Sequence, residues 1–479
     1  MSEPVPEWPP PRRSFSTLVT VVCSIVALLY IGLLGRPLVE PRASPLAELE
    51  RPAESLERLV ARELDLRAAM RGGPRWEWRL YRALSGDEDP LLAAGDWYGE
   101  LVEQTDSPLA ELQRAIILAE TGHTIAAREA IAELGAGAGE PARSGTRAQM
   151  AAWAMAAYLD PPPAAAVGRA AIAAIDDLPP TWFTDTLVRR IATRIGDAAA
   201  RTRAEAAIVA RGRALLRRAR ALIALSLALL AAGGAALVWM LARRRRARVA
   251  GAPLPPLWTL GDGYALFVRG LGAPQAIALV LFIALRRETG FGTALGMAAD
   301  LPLFCWVFLY LRRRGTTMRQ TFGLVPCRQG WAALLGATLV LVAVALVSDA
   351  LIDVVSRAVH LKTHWTDGFT EELLWAGRRR VVLEAVDATV WAPVVEEILF
   401  RGLLYATLRT RMGVAESALA SALVFTLPHG YALAGSASVL VSGVLWAVAY
   451  ERTRSLLPGL FAHAANNLLS TLWTVGLLR

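Results

Sequence analysis

Cysteine is scarce in this chain of 479 residues. Cys23, Cys305 and Cys327 are the three cysteines, and none of them falls in the long polar stretch between residues 36 and 220. Because no C-x-x-C pair is present, we expect neither a thiolate zinc site nor dithiol redox chemistry. If the polar stretch lies outside the cytoplasm, it folds without disulfides.

Lysine is almost absent, since Lys362 is the only one, and the net charge of +9 therefore comes from arginine. Many arginines occur in short clusters beside apolar runs, which is where membrane orientation places them. The chain has no recognisable nucleic-acid-binding motif. The basic charge thus indicates that the partner is a lipid bilayer and not a nucleic acid.

Several catalytic signatures are also missing. The chain has no G-x-S-x-G elbow, no H-E-x-x-H zincin motif and no histidine beside a serine in a recognisable motif. The cysteines are far in sequence from the histidines of the apolar C-terminal segments. These absences argue against a serine or cysteine hydrolase.

Long apolar segments are what the chain does contain. Hydrophobic residues make up 54% of it and charged residues 19%, a mixture that predicts a soluble part and a membrane part. A membrane-spanning helix needs about 20 mostly apolar residues. Candidate spans lie at residues 15–35, 221–242, 262–285, 291–311, 331–352, 383–408, 414–431, 435–450 and 457–477. We interpret the first as an uncleaved anchor, with a signal peptide as the alternative.

The predicted fold class is all-α, a polytopic transmembrane helix bundle joined to a helical soluble domain. We divide the chain into an anchor (1–35), an extracytoplasmic helical domain (36–220), a second span with the basic cytoplasmic flank Arg243–Arg246 (221–250), and a C-terminal bundle of about seven spans (251–479).

The helical domain is rich in Ala, Leu, Arg and Glu. Residues 109–134 predict two helices with a turn at Gly122, and the helix at residues 150–159 should end before Pro161. Stacked hairpins of the tetratricopeptide kind are one interpretation, and a plain helical domain is the other. A helical array of this size is a candidate surface for a protein partner.

Charged residues interrupt the apolar segment at 383–408. Glu396, Glu397 and Arg401 would each cost about 2.5–3.5 kcal/mol facing lipid, so we expect them to face a protein interior or a water-filled cavity. Glu397 and Arg401 are four residues apart and can pair on one helix face. Glu396 then lacks a partner within its own helix, which suits a general base.

Two of the five histidines, His429 and His463, lie in the apolar segments that follow. Pro428 can bend its helix and open room at His429. His463 and Asn467 are four residues apart and share a helix face. One interpretation is that these side chains only join helices by hydrogen bonds. The other is a hydrolase, because acidic, imidazole and amide groups on three spans are the components of such a site.

At these residues the chain resembles the CPBP family of membrane proteins, which includes the prenyl-protein CAAX endopeptidases and the bacterial Abi-type proteins. Its motifs E-E-x-x-x-R, F-x-x-x-H and H-x-x-x-N are present as Glu396–Arg401, Phe425–His429 and His463–Asn467, and the resemblance covers roughly residues 255–479. It implies an intramembrane peptidase in which Glu396 activates water and His429 helps to hold that water. By the same resemblance, His463 and Asn467 stabilise the oxyanion, and Glu397 and Arg401 hold the site together.

Metal use is open at this point. We favour catalysis without a cofactor, with zinc held by Glu396, His429 and His463 as the alternative. The expected substrate is a peptide or protein, lipidated if the resemblance extends to CAAX processing. Two other functions remain as alternatives: a non-catalytic scaffold, immunity or regulatory protein, and a transporter, although no repeated halves are visible.

Overall fold

The computed structural model describes residues 15–35, 46, 49–85, 90–136, 144–242, 252–284, 292–325, 330–359, 361, 364–366 and 369–479. This part of the chain is all-α and contains no strand. Arg243–Arg246, Lys362 and Cys327 lie outside the described residues. In chain order the α-helices are α1 (Thr17–Gly35), α2 (Pro52–Arg71), α3 (Arg75–Ser85), α4 (Pro90–Gln104), α5 (Pro108–Glu120), α6 (Thr124–Ala136), α7 (Ser144–Tyr158), α8 (Ala165–Asp176), α9 (Trp182–Ile195), α10 (Ala198–Ala242), α11 (Leu260–Ala284), α12 (Gly292–Ala299), α13 (Leu301–Arg313), α14 (Met318–Thr321), α15 (Trp331–Ala358), α16 (Glu371–Trp375), α17 (Arg378–Val386), α18 (Ala392–Glu396), α19 (Ala406–Leu408), α20 (Val414–Thr426), α21 (Leu433–Thr453) and α22 (Leu457–Leu478).

The chain forms two compact units. The membrane unit comprises Met1–Arg42, Leu225–Thr363 and Ala376–Thr471, and the helical unit comprises Ala43–Ala224, His364–Trp375 and Leu472–Arg479. The predicted boundary at residue 220 lies within α10, which runs without interruption from Ala198 to Ala242.

In the helical unit, neighbouring helices along the chain pack against one another from α4 to α7, as they do in helical hairpins. The turn predicted at Gly122 is present, since α5 ends at Glu120, Gly122 has φ +83° and α6 begins at Thr124. A left-handed conformation of this kind favours glycine. The helix predicted to stop before Pro161 ends at Tyr158. A tetratricopeptide repeat stays a prediction.

Glu120 holds three helices of the helical unit together. Its carboxylate accepts hydrogen bonds from Arg190 Nε at 2.6 Å, Arg189 Nη2 at 3.0 Å and the Tyr158 hydroxyl at 3.0 Å. Burial opposes ionisation of Glu120, but these donors outweigh it and lower its pKa below the ordinary value.

Six helices in the described part of the chain are long and apolar enough to cross a membrane, which makes the chain an integral membrane protein. They are Thr17–Gly35, Ala198–Ala242, Leu260–Leu281, Gly292–Arg313, Trp331–Ala358 and Leu433–Thr453, and each overlaps a predicted span. The predicted spans 383–408, 414–431 and 457–477 are helical but do not qualify. The apolar helix Val414–His429 is too short, and polar motif residues lower the hydropathy of the other two.

The segment 378–408 is helical throughout, but its hydrogen bonding alternates between α and π. Asp387–Trp391 and Glu397–Tyr405 are π-helical, and α17, α18 and α19 occupy the rest. Such π segments are rare and occur frequently at functional sites. In the core beside this segment, the rings of Phe400 and Phe425 meet edge to face at 5.0 Å. The segment carries the first motif.

Candidate functional site

The six polar motif side chains come from three separate pieces of helix in the membrane unit. Glu396 ends α18, while Glu397 and Arg401 lie in the π segment that follows. His429 ends a short 3₁₀ turn, Leu427–His429, directly after α20. His463 and Asn467 lie on α22.

Glu397 and Arg401 form the ion pair that their spacing predicts. Arg401 Nη1 lies 3.0 Å from Glu397 Oε1, and the two side chains are only 1% and 2% exposed. Arg401 Nη2 also donates to the Gly443 carbonyl at 3.3 Å, and its guanidinium carbon lies 4.2 Å from the centre of the Phe425 ring. Because each charge has a partner, the burial of the pair is tolerated.

His463 connects the two glutamates. Its Nδ1 lies 3.0 Å from Glu397 Oε1, and its Nε2 lies 3.6 Å from Glu396 Oε2. The first contact is a hydrogen bond, in which the ring nitrogen donates to the carboxylate, and the second is longer than one. The Glu396 side chain is 27% exposed, whereas that of Glu397 is 2% exposed. Glu396 is therefore the carboxylate of the cluster that water can reach.

His429 is oriented by its own backbone. Its Nδ1 lies 2.8 Å from the Phe425 carbonyl, to which it donates, so Nε2 of the neutral ring is left as an acceptor. The break predicted at Pro428 is present, because α20 ends at Thr426 and the 3₁₀ turn follows. His429 lies within electrostatic range of Glu396, His463 and Arg401.

Asn467 contacts the same helical segment as His463, at a point about two turns before Glu396. Its Nδ2 donates to the Ala388 carbonyl at 2.8 Å. In the π register, where the Ala392 N–H bonds to Asp387, that carbonyl would accept from residue 393. Pro393 has no N–H, so the Asn467 amide supplies the missing donor. This contact fixes the segment against α22, and the other amide hydrogen of Asn467 has no acceptor among the described residues.

Replacing Asn467 by leucine is expected to lower the melting temperature of the purified protein, because a carbonyl inside the membrane unit loses its donor. A cost of about 1–3 kcal/mol is typical for one unsatisfied polar group. Asn466→Leu is the matched control, since no hydrogen bond of the Asn466 side chain is present among the described residues. Equal melting temperatures for the two variants would show that the Ala388 contact contributes nothing.

Sequence reasoning missed several neighbours of the site, among them Trp391, Asp300 and Tyr30. Trp391 Nε1 donates to Asp300 Oδ2 at 2.9 Å, and Asp300 lies within electrostatic range of Glu396. An acidic residue between two apolar helices was a signal for Asp300. Tyr30 of α1 also lies within electrostatic range of Glu396, and no sequence signal pointed to it.

Glu396, His429 and His463, the side chains of the zinc alternative, are not grouped as a set of metal ligands. In the described ranges, no three or more His, Cys, Asp or Glu side chains are grouped so that they could hold a metal ion. His429 uses Nδ1 for the Phe425 carbonyl, and His463 uses Nδ1 for Glu397. The donors that remain are Glu396 and the two Nε2 atoms.

Comparison with known proteins supports the resemblance. Residues 378–469 match the model of one family, described as type II CAAX prenyl endopeptidase Rce1-like. The matched stretch contains all six polar motif side chains and Phe425. Neither curated proteins nor solved structures gave a match to the chain. The CPBP resemblance predicted from the three motifs is thus confirmed, since residues 378–469 of this integral membrane protein match a CAAX-endopeptidase family model.

Proposed function

We propose that the protein is a membrane-embedded endopeptidase that hydrolyses peptide bonds with a water molecule activated by Glu396. The observation that carries the proposal is the difference in burial and pairing between the adjacent carboxylates of Glu396 and Glu397. Glu397 is buried and paired with Arg401, while Glu396 is accessible and lies 3.6 Å from His463 Nε2. A carboxylate that water reaches, in a site of otherwise fixed polar groups, suits a general base.

The proposed reaction uses each of these groups in turn. Water attacks the carbonyl carbon of the scissile bond, and Glu396 takes the proton that the water loses. His429 Nε2, free of the backbone contact, accepts a hydrogen bond from the same water. When the tetrahedral intermediate collapses, the carbon–nitrogen bond breaks and Glu396 returns its proton to the leaving amine.

His463 and Asn467 are the proposed donors to the oxyanion. In this role His463 donates through Nε2, which lies 3.6 Å from Glu396 Oε2. Its Nε2–H then faces the space beside Glu396, where negative charge develops on the substrate. Asn467 has one amide hydrogen beyond the Ala388 contact for the same purpose.

The proposed substrate is a peptide or protein that carries a prenylated cysteine near its C-terminus, in keeping with the matched family. A site within apolar helices admits such a lipidated chain from the bilayer. We further propose that the protein is a multi-pass protein of the cytoplasmic membrane, with residues 36–220 outside the cytoplasm and available to a protein partner.

Cleavage in the presence of a chelator tests both the activity and its independence of metal. The purified protein in lipid nanodiscs is incubated with a quenched fluorogenic peptide that ends in a farnesylated cysteine and three further residues. We expect cleavage at equal rates with and without 1,10-phenanthroline, because Glu396 needs no metal to accept a proton. Loss of activity with the chelator and its return with zinc would replace the glutamate mechanism by a metal-dependent one.

If neither the farnesylated peptide nor the same peptide without the farnesyl group is cleaved, the proposed peptidase activity is contradicted. Cleavage of both at similar efficiency would support the peptidase and reject the prenylated substrate. The two parts of the proposal are therefore separable in one experiment.

A further inference from the structure

The N-terminal helix α1 belongs to the same compact unit as the site, although it lies outside the family-matched residues 378–469. One face of α1 is buried and the other is apolar and exposed, as expected of a helix that packs on protein on one side and faces lipid on the other. The inward residues are Cys23, Ala27, Tyr30, Ile31 and Gly35, and the outward ones include Leu18, Leu28, Leu29 and Leu33.

α1 is fixed along α11 by a close approach and by polar contacts. At the crossing, a Cβ on Gly272 would collide with the carbonyl oxygen of Cys23, so only glycine permits this distance between the two backbones. Arg269 Nη2 donates to the Ser16 carbonyl at 2.8 Å, and the Arg269 guanidinium carbon lies 4.8 Å from the centre of the Phe15 ring. A simple lipid anchor does not require such docking.

The far end of α1 meets the turn that carries His429. A Cβ placed on Gly35 would lie 3.3 Å from Leu427 Cδ2, so this end of the helix contacts the first residue of the Leu427–His429 turn. Tyr30, just over one turn earlier, packs against the core cluster that contains Val395 and Phe425. Val395 precedes Glu396 in the sequence, and the Phe425 ring lies beside Arg401, so this cluster borders the site.

The Tyr30 hydroxyl is uncommitted. Within the part of the chain that the structure describes, it makes no hydrogen bond, yet it lies within electrostatic range of Glu396 and Asp300. A partly buried tyrosine hydroxyl normally finds a hydrogen-bond partner. The accessible carboxylate of Glu396 is the acceptor that this position offers once a substrate excludes bulk water.

We infer that Tyr30 is a positioning residue of the hydrolytic site, whose hydroxyl donates a hydrogen bond to the Glu396 carboxylate and orients it toward the attacking water. The inference rests on the proposed peptidase activity and extends it to a residue far outside the matched domain. It makes α1 a component of the active site as well as a membrane-spanning helix.

The test compares two tyrosine-to-phenylalanine variants of the full-length protein in nanodiscs, with the farnesylated peptide as substrate. Tyr30→Phe should lower kcat about 10- to 100-fold, the effect of one hydrogen bond to a charged group, and leave KM and the melting temperature unchanged. Tyr264→Phe is the matched control. It removes the 2.9 Å contact between the Tyr264 hydroxyl and Ser24 Oγ, which also joins α1 to α11, and kcat should not change.

A wild-type kcat for Tyr30→Phe would overturn the inference and leave the proposed function intact. Equal losses of kcat in Tyr30→Phe and Tyr264→Phe, or a matching fall in melting temperature, would also overturn it, because both results indicate helix packing. If the wild-type protein cleaves no peptide, the proposed function fails and this inference fails with it.

Discussion

Glu396→Gln is expected to lower kcat for the farnesylated peptide by about 10²- to 10⁴-fold, the usual contribution of a general base. Glutamine has nearly the same shape as glutamate but cannot accept a proton from water. The Glu396 side chain is 27% exposed, and in the described part of the chain its one ion-pair partner is His463 at 3.6 Å. We therefore expect the variant to reach the membrane at normal abundance with an unchanged melting temperature.

Glu416→Gln is the matched control for this experiment, because Glu416 is an exposed glutamate in the first turn of α20. Its kcat should equal that of the wild type. The opposite pattern, normal cleavage by Glu396→Gln together with a lower melting temperature, would favour the interpretation in which the polar groups only pack helices together. Altered ion flux with no proteolysis would favour transport.

Arg401→Met has the second large expected effect, which is a lower free energy of unfolding. Methionine fills much of the volume of arginine but leaves the Glu397 carboxylate, with 2% of its side chain exposed, without its cation. Breaking a buried pair in this way costs about 3–5 kcal/mol. The melting temperature and the yield of folded protein should both fall sharply, whereas Arg411→Met, at an exposed position, should change neither.

The double variant Glu397→Gln, Arg401→Met separates the charge from the packing. With both charges removed, much of the lost stability should return, because no uncompensated buried charge remains. If the double variant is as unstable as the sum of the single variants, the two residues do not interact, and the ion pair does not hold the site together.

The local parts of the site could be predicted from the sequence. Spacing alone predicted the Glu397–Arg401 pair, because residues four apart share a helix face whatever surrounds them. The break at Pro428 and the turn at Gly122 were likewise predictable, since each follows from the backbone of a single residue.

The parts that depend on distant packing could not be predicted in this way. The spacing of apolar residues does not distinguish the π register of residues 387–391 and 397–405 from an α-helix, and in that register Asn467 donates to the Ala388 carbonyl. Tyr30 lies within electrostatic range of Glu396 because α1 docks on α11. These two helices are more than 200 residues apart in the sequence, and no periodic pattern of apolar residues predicts their contact. Counting apolar residues predicts nine spans, three more than qualify among the described helices, because one of the three is short and polar motif residues lower the hydropathy of the other two.

Transfer of isotopic oxygen from water tests the central claim most directly. Wild-type protein in excess over the farnesylated peptide is incubated in H₂¹⁸O for a single turnover, and the fragments are weighed by mass spectrometry. If Glu396 directs water onto the scissile carbonyl, one ¹⁸O atom appears in the new carboxyl group of the product during that first turnover. Absence of cleavage, or ¹⁸O in the Glu396 side chain with none in the product, would contradict direct attack by water.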